Sequence, residues 1–447
     1  MAKKQSTSKA RAKAVKPSRP PAPLQIPLTL LFIEPSFPGK LGLLADWLVR
    51  ARGCRCWFAF HAAAPESEWP RSVGRGLELV PFNVGGVARE QMASWTRHLE
   101  RSLCYAYGAW EVVDARRIRP IDAVIARSAG LGSSLFMPVS YPRIPIFQCF
   151  DYFFSPRSGD LADEDLPHLP PEYVMWRRSA NAMTLLELEN GVVPWTHSDW
   201  QRALFPPEYQ SDLHVCPSAV DIDFWNPSPT PPVSIAGRGI DPSTKVLTFA
   251  ASTLDRLRGF DRFFTLANRI NAARPDVLCI AAGSPLIDRT IDVRDFGKDL
   301  AATLLSNSPP AHPDRLWITG RLDSKTLRDL FRRSDLHLAL GRPYPCAQSL
   351  WQAMACGAPA LATRTAPTEA NITHDLNGFL VEPDDDAIFQ RVMQLLDQPD
   401  QRHDVGAAGA RFIHETRRPE QAFAPLLALL ENATRVDHQT GIAQGSP

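Results

Sequence analysis

Short apolar runs alternate along this chain with longer segments whose apolar positions recur at helical spacing. Leu28–Ile33, Ala123–Ala126, Ile144–Phe150 and Gly191–Trp195 read as buried strands. Leu43–Ala51, Val87–Asp114 and Glu172–Asn190 read as helices between them. Residues 226–243 hold five prolines and few apolar side chains, the composition of a linker. Beyond it the rhythm restarts. Lys245–Ala250, Val277–Ala282, Leu316–Thr319, Leu336–Leu340 and Pro359–Thr363 are the expected strands. Phe260–Ala273, Ser324–Arg333, Ala347–Cys356 and Ala387–Leu396 are the expected helices. Strand followed by helix, repeated, is the pattern of a parallel sheet covered on both faces. The expected fold class is therefore α/β, with two Rossmann-like, doubly wound domains facing a central cleft. Residues 25–225 and 244–433 are the two domains, 226–243 joins them, and 1–24 and 434–447 are tails. Ligands of such sheets bind outside the carboxyl ends of the strands, so the cleft is the default site.

Composition adds limits. A chain of 447 residues exceeds one ordinary core, which agrees with two domains. A net charge of +1 gives no overall electrostatic reason to expect nucleic acid as a partner. The longest apolar candidate, Ile26–Ile33, contains Pro27 and is far shorter than the roughly 20 residues a membrane span needs. Cys54 and Cys56 form a C-x-C pair without a second half, a weak zinc signal, and most other cysteines sit in apolar stretches. With no secretion signal, a reducing cytosol is the expected compartment. The start of the chain stands apart: Lys3, Lys4, Lys9, Arg11, Lys13, Lys16 and Arg19 precede the first acid, Glu34. Such a segment is either a solubilising tail or an electrostatic tether to anionic lipid or another polyanion, giving peripheral contact at the inner membrane face.

Several chemistries find no support. Gly130 and Gly132 follow a strand, but Leu135 replaces the third glycine of a dinucleotide fingerprint, and Pro138, Pro142 and Pro145 leave no room for its helix. The chain has no P-loop, H-E-x-x-H or G-x-S-x-G motif. Asp384, Asp385 and Asp386 precede an apolar helix, where capping explains them more simply than a metal. No metal and no cofactor is expected. Two glycine turns are better candidates for an anion: Phe37-Pro38-Gly39-Lys40, and Arg256-Leu257-Arg258-Gly259, whose two arginines suit a diphosphate. The most informative stretch is Gly341–Thr363. Pro345 and Gly357 bracket a helix, with Tyr344, Gln348 and Gln352 at four-residue steps along one polar face. Uncharged hydrogen-bonders at a helix start suit a sugar or ribose beside a phosphate, or else form a partly solvated polar face.

Trp351-Gln352-Ala353-Met354-Ala355-Cys356-Gly357-Ala358-Pro359 resembles the helix and turn that end the E-x7-E signature of family 4 glycosyltransferases, retaining enzymes of the GT-B fold. Phe37–Ala45, Asp122–Ser133, Phe150–Phe154, Trp200–Tyr209, Arg258–Phe260, Leu316–Arg321, Thr365–Pro367 and Asn377–Val381 continue the resemblance, which covers Leu28 to Arg417. It implies a metal-independent hexosyltransferase that moves a sugar from a UDP- or GDP-type donor to a glycan or lipid-linked acceptor. Arg258, with Arg256, then holds the donor diphosphate, while Gly39 and Lys40 approach it from the first loop. Gly320 and Arg321 lie near the base. Tyr344 and Gln352 take the places of the two signature glutamates, with Gln348, Ser349 and Leu350 beside them at the donor. On the acceptor side Arg127 stands where the family commonly has histidine, and Asp151 orients the acceptor or caps a turn. Loss of both glutamates leaves two rivals: a catalytically silent protein that binds a nucleotide-sugar or a partner without turnover, and a sugar-nucleotide epimerase on the same fold.

Overall fold

The computed structural model describes residues 27–85, 94–127, 129–155, 159–161, 169–286 and 297–439. The basic tail lies outside them. Seven parallel strands build the first sheet: β1 Thr29–Ile33, β2 Arg55–Phe60, β3 Leu77–Pro81, β4 Ala123–Arg127, β5 Ile146–Cys149, β6 Val193–Thr196 and β7 His214–Val215. Their order is β3-β2-β1-β4-β5-β6-β7. Six parallel strands build the second: β8 Lys245–Thr253, β9 Val277–Ser284, β10 Leu316–Ile318, β11 Leu336–Ala339, β12 Ala360–Thr363 and β13 Phe379–Val381, ordered β10-β9-β8-β11-β12-β13. In both sheets the order reverses beside the first strand, β1 or β8. That reversal opens a crevice at the carboxyl ends of the strands.

Local signals explain most elements. Helix α1, Gly42–Arg52, ends on left-handed Gly53, whose N–H bonds the last turn. The long helix α2 is described from Ser94 to Ala115, so the expected start at Val87 lies outside the described residues. The single helix expected over Glu172–Asn190 is two, α3 Pro171–Ser179 and α4 Ala182–Glu189. Asn181 makes the break: its side-chain amide accepts from Phe154 N (2.8 Å) and donates to Phe154 O (2.7 Å). In the second half α5 spans Phe260–Ala273, α6 Ser324–Arg333, α7 Gln348–Ala355 and α8 Asp385–Leu396. Asp323 caps α6 and Asp384 caps α8 through Ala387 N at 2.8 Å, the role expected for the first of the three aspartates.

The proline-rich stretch 226–243 is an ordered strap. It carries a small hairpin, Ser234–Ile235 against Arg238–Gly239, and buries Ile235 and Ile240 in the second half's core. After α9, Pro399–Thr416, the chain returns to the first half. Its last helix, α10, Ala424–Gln439, buries Leu426, Leu427 and Leu430 with Leu44 and Trp47 of α1, and runs into the stretch expected as a tail. Among the described residues no helix is long and apolar enough to cross a membrane.

Two buried histidines set an acid limit on this fold. Burial pushes both His197, after β6, and His337, on β11, down to about 3. An unfolded histidine titrates near ~6.5. Between those values the unfolded chain takes up protons that the folded chain refuses, so this stability is complete above pH ~6.5 and lost as pH falls towards ~3. Each histidine is expected to cost about 1.4 kcal/mol per pH unit in that window. Melting temperature followed from pH 7 to pH 4.5 checks it. His337→Asn, which keeps an amide group for the Thr248 hydroxyl, should flatten the acid limb, and an unchanged slope would exclude His337 as its source.

Candidate functional site

A pocket opens at the carboxyl ends of β8, β11 and β12, at the second sheet's reversal point, with Ala250, Ala339 and Thr363 in its walls. Two loops make its rim, residues 254–259 after β8 and 340–347 after β11. They are bonded to each other along the backbone: Arg342 N donates to Leu257 O (3.0 Å), and Arg342 Nη1 donates to Arg256 O (2.8 Å). Gly259, at φ +84°, lies so close to Leu340 that a Cβ there would sit 2.1 Å from the Leu340 oxygen. Asp255 accepts from Arg258 N at 2.8 Å and fixes the turn.

Arg258, Tyr344, Ser349 and Leu350 are brought together around this pocket, with Arg342 among them. The Arg258 guanidinium lies 5.0 Å over the Tyr344 ring, which also packs on Tyr152 from the first half, 4.9 Å between centroids. Ser349 donates to Ala250 O at 2.6 Å, pinning the start of α7 to the end of β8. The polar face expected along Tyr344, Gln348 and Gln352 is not a single helical face. Ala347 is extended and caps the helix, so Tyr344 and Pro345 belong to the preceding loop. Gln348 turns away to donate to Ala219 O at 2.8 Å, and half-buried Gln352 lies outside the pocket lining. Arg256 and Arg342 both face Asp261, at 3.5 and 3.8 Å, and of the two Arg342 lines the pocket. Gly320 takes the Gly283 N–H on its carbonyl, while exposed Arg321 stands 3.6 Å from Glu68 of the first half.

The remaining expected residues form a charged cluster at the ends of β1, β4 and β5. Asp151 is gripped by Lys40 Nζ (2.7 Å) and Arg127 Nη2 (2.6 Å), with His197 Nε2 at 3.8 Å. Burial works against the carboxylate, but Arg127 and Lys40 outweigh it and hold Asp151 well below the usual range. Arg127 also pairs through Nη1 with Glu34 at 2.6 Å. Cys149, Asp151 and His197 each bring a potential metal ligand within 4.8 Å of the others. Burial raises the Cys149 thiol well above its ordinary value, and two fixed cations already satisfy Asp151. The group is built as an ion-pair cluster and does not fit a cation. Glu34 and His197 sit in no motif, while Tyr152 and Arg342 lie within the Phe150–Phe154 and Gly341–Thr363 stretches without being singled out there; their common signal is a polar residue just past the end of an apolar run.

Comparison with known proteins agrees with this geometry. The profile for "Glycosyl transferase family 4 group" matches residues 52–225, and that for "Glycosyl transferases group 1" matches residues 236–412. A D-inositol 3-phosphate glycosyltransferase of Xylanimonas cellulosilytica is 25% identical over 236 residues, covering 51% of this chain and 54% of that protein. Matches to curated relatives span from about a third to about half of those proteins' lengths. Sucrose-phosphate synthase from Thermosynechococcus elongatus superposes with a TM-score of 0.65 at 13% identity, over 92% of this chain and all of that one. An Anabaena protein solved with UDP and glucose gives 0.63 at 14% identity, over 91% of this chain and 100% of its own. The fold is GT-B, two Rossmann-like domains about a cleft. The chain belongs to the family 4 glycosyltransferases.

Proposed function

We propose that this protein transfers a sugar, with retention, from a nucleoside-diphosphate donor seated in the second half to an acceptor hydroxyl held by the first. The observation that carries the reading is the pocket at the β8/β11 reversal, with Arg258 at its rim beside Tyr344. The domain bounds are 25–225 for the acceptor side and 244–433 for the donor side. In the reaction the bond from the sugar's anomeric carbon to the diphosphate oxygen breaks and a bond to the acceptor oxygen forms on the same face. The acceptor proton passes to the departing diphosphate. Arg258 and Arg342 offset the negative charge that gathers on that leaving group, as preorganised donors do. Arg256 acts through its carbonyl, which orients Arg342. Ser349 and Leu350 shape the donor wall, and Tyr344 meets the transferred sugar where the family signature has a carboxylate. Gln352 keeps a hydrogen-bonding group without charge for the ribose. Gly320 and Arg321 flank the base.

UDP or GDP is the donor's carrier, and a glycan or lipid-linked acceptor completes the reaction in the cytosol, where the basic tail gives contact with an anionic membrane face. Support for a uridine carrier comes from the Anabaena protein of the same fold, which was solved with UDP. The test is a thermal-shift screen of nucleotide-sugars followed by donor hydrolysis with the purified protein. A matching donor at 100 times its dissociation constant is expected to stabilise the protein by about 2.7 kcal/mol. Binding without hydrolysis or transfer to any acceptor would overturn the transferase reading, and absence of any nucleotide binding would overturn the donor pocket.

A further inference from the structure

The loop after β1 has the form of an anion seat, a glycine turn leading into a helix, and it is already filled. Glu34, the residue that follows β1, has no exposed surface. Its Oε1 accepts from Lys40 N at 3.0 Å and its Oε2 from Leu41 N at 2.8 Å. Arg127 Nη1 completes the set at 2.6 Å from Oε1. Gly39, at φ +55°, leaves room for this side chain: a Cβ there would lie 2.4 Å from Glu34 Cδ and Oε2. The turn's glycine therefore admits a carboxylate from within the chain.

We infer that Glu34 is an internal anion that occupies the phosphate-type seat of the first loop, so that the donor diphosphate is held by the second half alone. The second clause rests on the donor reading proposed above; the first does not. Charge balance supports both. Lys40 and Arg127 are matched by Asp151 and Glu34, so the cluster has no cation left over for a diphosphate. An incoming phosphate would have to displace a buried carboxylate from two N–H donors and a guanidinium, and would meet its like charge if it did not. Lys40 and Arg127 thus serve to hold Asp151 towards the acceptor.

The experiment uses the full chain carrying Glu34→Ala, melted in chloride, formate and inorganic phosphate at equal ionic strength. Removing the carboxylate leaves Arg127 with Asp151 alone and takes the acceptor from two loop N–H groups, and the melting temperature is expected to fall by roughly 10 °C. Formate or phosphate should restore at least half of that loss in a saturable way while moving the wild-type protein by less than about 1 °C. A loss that neither ion repairs beyond the chloride control would overturn the seat. Glu34→Gln, which keeps the side chain's shape, carries the second arm and serves if the alanine variant does not fold. Its affinity for UDP should stay within about twofold of wild type, because the diphosphate does not meet this loop. A tenfold change, above all the gain expected when a like charge is lifted from a phosphate seated there, would place the diphosphate at this loop and overturn the inference. A wild-type protein that binds no UDP would sink the donor reading and leave the seat to be judged by the anion rescue.

Discussion

Arg258→Ala is expected to weaken UDP binding by roughly 10- to 100-fold while leaving the melting temperature nearly unchanged. The size follows from charge-assisted hydrogen bonds, worth about 1.5–3 kcal/mol each, against ~1.4 kcal/mol per tenfold in affinity. The selectivity follows from how the residue is held. Its backbone N–H is fixed by Asp255 at 2.8 Å whatever the side chain, and among the described residues the guanidinium has a long contact to Pro345 O, 3.3 Å, and the face of Tyr344. The turn therefore survives the substitution and the anion contact does not. Arg258→Lys retains the charge without the planar fork and should recover only part of the loss. Titration calorimetry with UDP checks both variants; an unchanged affinity in Arg258→Ala would refute the assigned role.

Gly259→Ala should lower stability by about 3 kcal/mol or more, a fall in melting temperature on the order of 10 °C. Two effects add. A residue with a Cβ is strained by about 1–2 kcal/mol at φ +84°. The added carbon would also lie 2.1 Å from Leu340 O and 2.4 Å from Leu340 C, which are backbone atoms and cannot rotate away. Relief requires the two pocket loops to separate, breaking the Arg342 bonds to Leu257 O and Arg256 O. Affinity for the donor should fall with stability, since Arg258 and Arg342 lose their mutual register. Differential scanning calorimetry and the same UDP titration check it, and a melting temperature within about 3 °C of wild type would contradict the close approach.

How far the sequence carried depended on whether the determining contact was local. Helices α5 and α6 were legible to the residue, because apolar spacing and end signals agree at Gly259 and Asp323. Strands β2 and β3 were missed, their short runs lying among arginine, tryptophan and proline. Helix α9 was not among the expected elements, and it carries two poor helix formers, Gly406 and Gly409. They are small because another backbone passes close, the Gly357 oxygen lying 2.5 Å from a Cβ placed at Gly406. In the site, the turn at Arg258 was readable from its own residues. Glu34 was not: a lone acid past a strand looks like loop until Arg127, 93 positions away, closes on it. Gln348 failed for the same reason, its partner Ala219 lying 129 positions back.

The chain passes between its halves twice, and the two passages touch. Val220 N donates to Arg417 O at 2.8 Å, and the Arg417 guanidinium reaches Ser218 O and lies over Trp351 of α7. Two crossings bonded side by side would confine any relative motion of the halves to a rotation about them and oppose sliding. Gln348, bonded to Ala219 at 2.8 Å, lies beside these crossings. Tyr152 against Tyr344 and Glu68 beside Arg321 also join the halves, and are contacts that such a rotation would have to break.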